Sequence, residues 1–190
     1  TLVQRTPISV LVTNFDRKGL NHDELETLLH EFGHVLHGVL SKTRYADQSG
    51  TSVKRDFVEA PSQMFEEWAR REEALRLYAE IWRGCPRLTR AQIEQLESAR
   101  KHGQGIQYAR QRLYAAYDMK LHTAAPPAAM ATWAELEGTT RLGHVDGSLF
   151  PANFGHLMGG YAAGYYSYMW SQVLALDMLS AFDGKLMSAD

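Results

Sequence analysis

The sequence predicts a mainly α-helical fold with one small β element near the N-terminus. Three observations carry that prediction. Apolar residues recur at helical spacing through most of the chain. Capping residues stand where several of these stretches begin. Only residues 8–14 are β-branched and apolar in the manner of a buried strand.

Taken in order, Ile8-Ser9-Val10-Leu11-Val12 lies in the expected strand. Asn21 is placed to cap the next helix, with Asp23 and Glu24 in its first turn, where negative charge suits the helix dipole. Leu25, Leu28, Leu29, Phe32, Val35, Leu36 and Val39 then form an apolar stripe to about Leu40. Residues 41–55 are polar and rich in Gly and Ser, a loop. Asp56 to Trp82 reads as helix, with Pro61 tolerable only in a first turn, where its missing N–H costs nothing. Gly84-Cys85-Pro86 breaks the chain, and Thr89 caps a helix to about Lys101. Gly103 and Gly105 interrupt before a helix over 106–122, and Pro126-Pro127 opens a short helical stretch to Glu137. Residues 138–152 read as a long irregular loop, followed by an aromatic-rich helix from Asn153 or Tyr161 to Phe182. The blocks Arg70-Arg71-Glu72-Glu73 and Glu94/Glu97/Arg100/Lys101 are expected on solvated helix faces.

The chain has 190 residues, enough for one ordinary domain or one piece of a larger one. It opens on Thr1 and stops soon after the last apolar helix, and is expected to be a fragment of a longer protein. Apolar residues at 45% and charged residues at 22% exclude a disordered chain. Lys+Arg 20 against Asp+Glu 22 leaves no basic excess for phosphates, which disfavours nucleic acid as a partner. No apolar run is long enough to span a membrane. The single Cys85 excludes an intrachain disulfide framework and a Cys-rich zinc module, so any metal site must use the eight His and the carboxylates.

His30-Glu31-Phe32-Gly33-His34 is such a set. Two His at i and i+4 stand only about 40° apart around a helix, so both imidazoles reach one ion. Glu31 lies beside them, able to face a water on that ion. Zinc accepts two imidazoles and a carboxylate and keeps a fourth position for water. A Glu base beside a Lewis-acidic ion makes a nucleophile for amide hydrolysis. Gly33 permits close backbone packing between the two ligands. His37 continues the stripe and is read as a packed or supporting histidine.

A third ligand is required, and no third His follows at the metzincin spacing. Glu59, in the first turn expected after the polar loop, is the best candidate. The stretch from His34 to Glu59 is long enough for the helix to end, turn and return antiparallel. Glu66 lies near Glu59 on that helix and is placed either to buttress a ligand His or to stand exposed. Farther along, Tyr161, Tyr165 and Tyr168 share one face of the expected last helix, beside Gly159, Gly160 and Gly164. Such a stripe is either aromatic core or a set of phenols able to donate to a developing oxyanion.

Three separated blocks now stand in order. They are His30 to His37, then Asp56-Phe57-Val58-Glu59-Ala60-Pro61-Ser62-Gln63-Met64, then Phe154-Gly155-His156 with Gly159-Gly160-Tyr161 and Tyr165 to Trp170. Together they resemble the thimet-oligopeptidase-like M3 zinc metallopeptidases, and the Gly-Tyr-Ala-Ala-Gly-Tyr-Tyr segment resembles bacterial dipeptidyl carboxypeptidases and oligopeptidase A. The resemblance implies a zincin-like helical catalytic region spanning residues 1–190. It implies one Zn²⁺ on His30, His34 and Glu59, and Glu31 as general base. His156, Tyr161 and Tyr168 would contact substrate or the tetrahedral intermediate. The stretches around Gly50 and 143–151 would match flexible loops lining a substrate channel.

The activity expected is zinc-dependent hydrolysis of short peptides, as a metalloendopeptidase or peptidyl-dipeptidase. Short peptides are the expected partners, without nucleic acid or membrane, and the expected location is cytoplasmic. The alternatives are a non-catalytic helical module with a structural metal, or another zinc hydrolase such as an aminopeptidase.

Overall fold

Local capping chemistry places two of the longer helices. In the computed structural model, which describes residues 6–188, α1 spans His22–Val39. The Asn21 side chain accepts from the Glu24 N–H at 2.9 Å, and Glu24 accepts from the Asn21 N–H at 2.9 Å. This reciprocal pair satisfies two donors that the first turn leaves open. A 3-10 turn follows at Ala46–Gln48 within the polar loop. Next come α2 (Arg55–Val58), α3 (Ala60–Phe65), a 3-10 turn at Glu66–Ala69, and α4 (Glu72–Ile81). Thr89 caps α5 (Arg90–Lys101) through the same reciprocal arrangement with Gln92. The remainder is α6 (Gln104–Leu121), α7 (Ala129–Gly138), α8 (Phe150–Asn153), a 3-10 turn at Gly155–Leu157, and α9 (Ser167–Ser180).

The chain divides into two compact units, one running to His102 and resuming at Ser171, the other spanning Gly103–Trp170. In the first unit α1 packs on α3 and on the 66–69 turn. Gly33 makes this approach possible: a Cβ there would stand 2.6 Å from the Ser62 Cα. Stacked Phe65 and Trp68 continue the contact, with Phe32 beside Phe65 and Phe182 edge-on to Trp68. The second unit is built on buried Tyr117, Trp133, Phe154 and Tyr165, with Tyr114 and Phe150 stacked against them.

Three expectations are corrected. No strand forms among the described residues. Residues 8–14 form no regular element and make no backbone hydrogen bond there, and Ile8, Val10 and Val12 are more than 80% exposed. A strand requires a second extended segment to complete its ladder, which β-branched composition cannot supply. The helix expected from Asp56 to Trp82 is four pieces: Pro61, which has no N–H for the Phe57 carbonyl, starts α3 afresh in its first turn, and extended Arg71 (φ −79°, ψ 135°) separates the 66–69 turn from α4. The last helix begins at Ser167, not at Asn153 or Tyr161, since the glycines and a left-handed Ala163 (φ 53°) turn the chain beforehand.

Arg70 also departs from the solvated-face reading. Its side chain is only 13% exposed and pairs with Glu26, Glu66 and Glu67. Loop 139–148 is tied back by Glu137, whose carboxylate lies 2.5 Å from His144 Nδ1 and accepts from the Val145 N–H at 3.2 Å. Among the described residues no helix is long and apolar enough to cross a membrane.

Candidate active site

His30 and His34 project from adjacent turns of α1, their rings nearly perpendicular with centroids 5.0 Å apart. Glu59 reaches them from a break rather than from inside a helix. It ends α2 and precedes α3, at φ −86° and ψ −8°. The break that Pro61 enforces thus turns a carboxylate toward α1, where Gly33 has removed the side chain that would hold the two segments apart. Glu59 is buried, and Ser62 Oγ donates to its carbonyl at 2.9 Å and lies 3.2 Å from its Oε2.

The same Glu59 Oε2 stands 3.2 Å from His30 Nε2 and 3.2 Å from His34 Nε2. Bonds of about 2.0–2.1 Å to a tetrahedral zinc give ligand–ligand edges of about 3.3–3.4 Å, so both spacings suit one ion. The protonation chemistry agrees. His30 Nδ1 donates to Glu66 Oε1 at 2.7 Å, which leaves the neutral ring's Nε2 lone pair facing a carboxylate oxygen. Two acceptors at that distance need a cation between them, a proton or a metal. Burial lowers the His30 pKa, but hydrogen bonds to Glu59 and Glu66 outweigh it and push it up to about 9. Among the described residues, His30, His34 and Glu59 form the one group of metal-ligating type that converges.

Glu31 lies half-buried on α1 and forms no hydrogen bond or ion pair among the described residues. Its carboxylate is therefore available to a water. His37 packs edge-on to Phe57, and burial lowers its pKa, with His34 adding to the effect. Glu66 takes the buttressing place of the two the sequence allowed, and Arg70 in turn pairs with it.

The second unit gathers His156, Tyr161 and Tyr168. Tyr161 and Tyr168 stack at 5.0 Å, and the His156 ring stands edge-on to each at 5.7 Å. They converge although Tyr161 precedes α9, so the turn rather than helical periodicity aligns them. Tyr165 adjoins them, its ring 5.1 Å from that of His156 and 5.1 Å from that of Tyr168. It is buried in the aromatic core, and its phenol is pushed up to about 12 by burial.

One residue near this cluster escapes sequence reasoning. Asp118 of α6 is wholly buried and accepts from the Ala163 and Tyr165 N–H groups at 3.0 and 2.9 Å. The available signal was its place between Tyr114 and Leu121 on the apolar stripe of the helix, where a carboxylate must find donors.

Comparison with known proteins decides the family: the model of Peptidase family M3 matches residues 2–189. The chain belongs to peptidase family M3. It is 35% identical to oligopeptidase A of Escherichia coli K12, over 93% of this chain and 28% of that relative. It is 35% identical to a thimet-like oligopeptidase of Dictyostelium discoideum, with the same coverage, and 33% identical to dipeptidyl carboxypeptidase of E. coli K12. This M3 chain thus spans little more than a quarter of the length of these relatives.

Proposed function

We propose that the chain carries the catalytic centre of a zinc-dependent oligopeptidase or peptidyl-dipeptidase acting on short peptides. One observation carries the reading: two imidazole nitrogens, each 3.2 Å from the same Glu59 oxygen, with the unengaged Glu31 on the same helix. His30, His34 and Glu59 would hold the zinc, which would supply a Lewis acid and lower the pKa of a water. Glu31 takes a proton from the water as its oxygen adds to the scissile carbonyl carbon. It then returns that proton to the leaving nitrogen. Tyr161 and Tyr168 donate to the carbonyl oxygen as its charge grows, and His156 orients the peptide. These last three roles are supported by the residues' places in the family's motif and by the clustering of the rings.

A structural metal would close its fourth position with protein, whereas only three such groups converge among the described residues. The test is Glu31→Gln. Zinc stoichiometry should be retained while hydrolysis of a quenched-fluorescent peptide is nearly abolished, and wild-type turnover in this variant would refute the reading. The relatives carry both oligopeptidase and dipeptidyl carboxypeptidase names. Mass spectrometry of products from one blocked and one free-ended peptide distinguishes internal cleavage from dipeptide release. The cytoplasmic location belongs to the same proposal, with subcellular fractionation as its check.

A further inference from the structure

We propose that Asp118 is a positioning residue, a buried carboxylate that holds the turn carrying Tyr161 and Tyr168 in working register. A carboxylate without solvent is costly unless donors surround it, and Asp118 is 0% exposed. Two of its donors come from a single distant turn, the N–H groups of Ala163 and Tyr165 at 3.0 and 2.9 Å. His122, one helical turn along α6, donates from Nδ1 to the Asp118 backbone carbonyl at 2.8 Å, which also places that nitrogen 3.0 Å from Oδ1.

The anchored turn needs such a grip. Ala163 sits at φ 53°, a conformation that L residues rarely adopt, three residues after Gly160 at φ 92°. Tyr161 lies two residues before Ala163, and its carbonyl accepts from the Gly164 N–H at 2.8 Å. Tyr168 lies three residues beyond Tyr165, and its N–H donates to the Tyr165 carbonyl at 3.3 Å. Both phenols are therefore one short, hydrogen-bonded span from the pair of N–H groups that Asp118 holds. Releasing those groups lets the turn relax, and the Tyr161–Tyr168 stack goes with it.

Asp118→Asn is close in shape but replaces one acceptor by an N–H donor facing a backbone N–H. NMR of tyrosines carrying ¹³C in the ring should show the Tyr161 and Tyr168 signals displaced, with the Trp133 indole signal of the core unmoved. The kinetic expectation rests on the oxyanion role proposed above for these tyrosines. In the zinc-loaded protein kcat should fall about 10- to 100-fold with KM within about threefold. In a Tyr161→Phe/Tyr168→Phe background the same substitution should change kcat less than about threefold, since its targets are gone. A loss of equal size in both backgrounds would make Asp118 merely structural. Unmoved Tyr161 and Tyr168 signals would refute positioning outright. If the double Phe variant alone kept wild-type kcat, the oxyanion reading would fail, and the ring signals would still decide the role of Asp118. Should Asp118→Asn not fold, His122→Leu removes only the imidazole that neighbours Oδ1. It should displace the same signals by a smaller amount, and no displacement would again refute the proposal.

Discussion

Gly33→Ala sets two known effects against each other. In a helix interior the exchange alone favours Ala by up to about 1 kcal/mol. Here the new Cβ would stand 2.6 Å from the Ser62 Cα, 3.0 Å from the Pro61 carbonyl oxygen and 3.2 Å from the Phe65 Cβ. Restoring ordinary contact requires α1 and α3 to part by about 0.8 Å, and such overpacking costs about 1–3 kcal/mol. Backbone atoms, not a flexible side-chain tip, are in the way, so the steric term should win by about 1–2 kcal/mol. For a chain of this size that lowers Tm by about 2–8 °C. Glu59 precedes Ser62 on the displaced segment, so its 3.2 Å spacings to His30 and His34 would open as well. Zinc affinity should fall about tenfold or more, in the range seen when ligand support is lost. Thermal melting of the metal-free protein and a competitive zinc titration measure the two effects. Gly105→Ala is the control, because that site in α6 has nothing within 4 Å of an added Cβ. If Gly33→Ala raised Tm as the control should, with unchanged zinc affinity, the close approach of α1 to α3 would be wrong.

Other expectations concern the ligands and the phenols. Glu66→Ala removes the acceptor of His30 Nδ1 and should weaken zinc binding about 10- to 100-fold, whereas an unchanged Kd would leave Glu66 without a supporting role. In the metal-free protein the raised His30 pKa stabilises the fold fully below about 6.5, and that contribution is lost as pH rises through about 9. Its melting temperature should therefore drop across that window, and zinc uptake at pH 7 should release about one proton, measured by calorimetry in two buffers. A flat melting profile would contradict the convergence of His30 on two carboxylates. Tyr168→Phe should lower kcat more than it raises KM, and steady-state kinetics with unchanged kcat would remove Tyr168 from the oxyanion role.

The candidate metal triad was legible because most of its logic is local. His30 and His34 share a helix face by spacing alone, and the capping box at Asn21 announces where that helix begins. Glu59 was identifiable as an acidic residue in a following segment, but its exact setting was not. The sequence allowed Pro61 only in a first turn, and it stands in the first turn of α3; that this turn opens a new helix, with the carboxylate at the junction, was not legible. The Tyr161–Tyr168 pair was found for a reason only half right. Helical spacing suggested one face, and a turn before α9 produces the stack instead.

By itself, the sequence determined what depends on neighbours within a few residues: the caps, the helix stripes, the imidazole pair and the carboxylate beside it. Tertiary structure decided what depends on partners far along the chain. Residues 8–14 could not become a strand without a second strand to bond, whatever their composition. Asp118 could be recognised as an anchor only once residues 45 and 47 positions away delivered their N–H groups to it. Arg70 could be placed out of solvent only once Glu26, 44 positions away, joined the neighbouring Glu66 and Glu67 around it. Hydrogen bonds and ion pairs of this kind join groups that no local period relates, so spacing along the chain carries no trace of them.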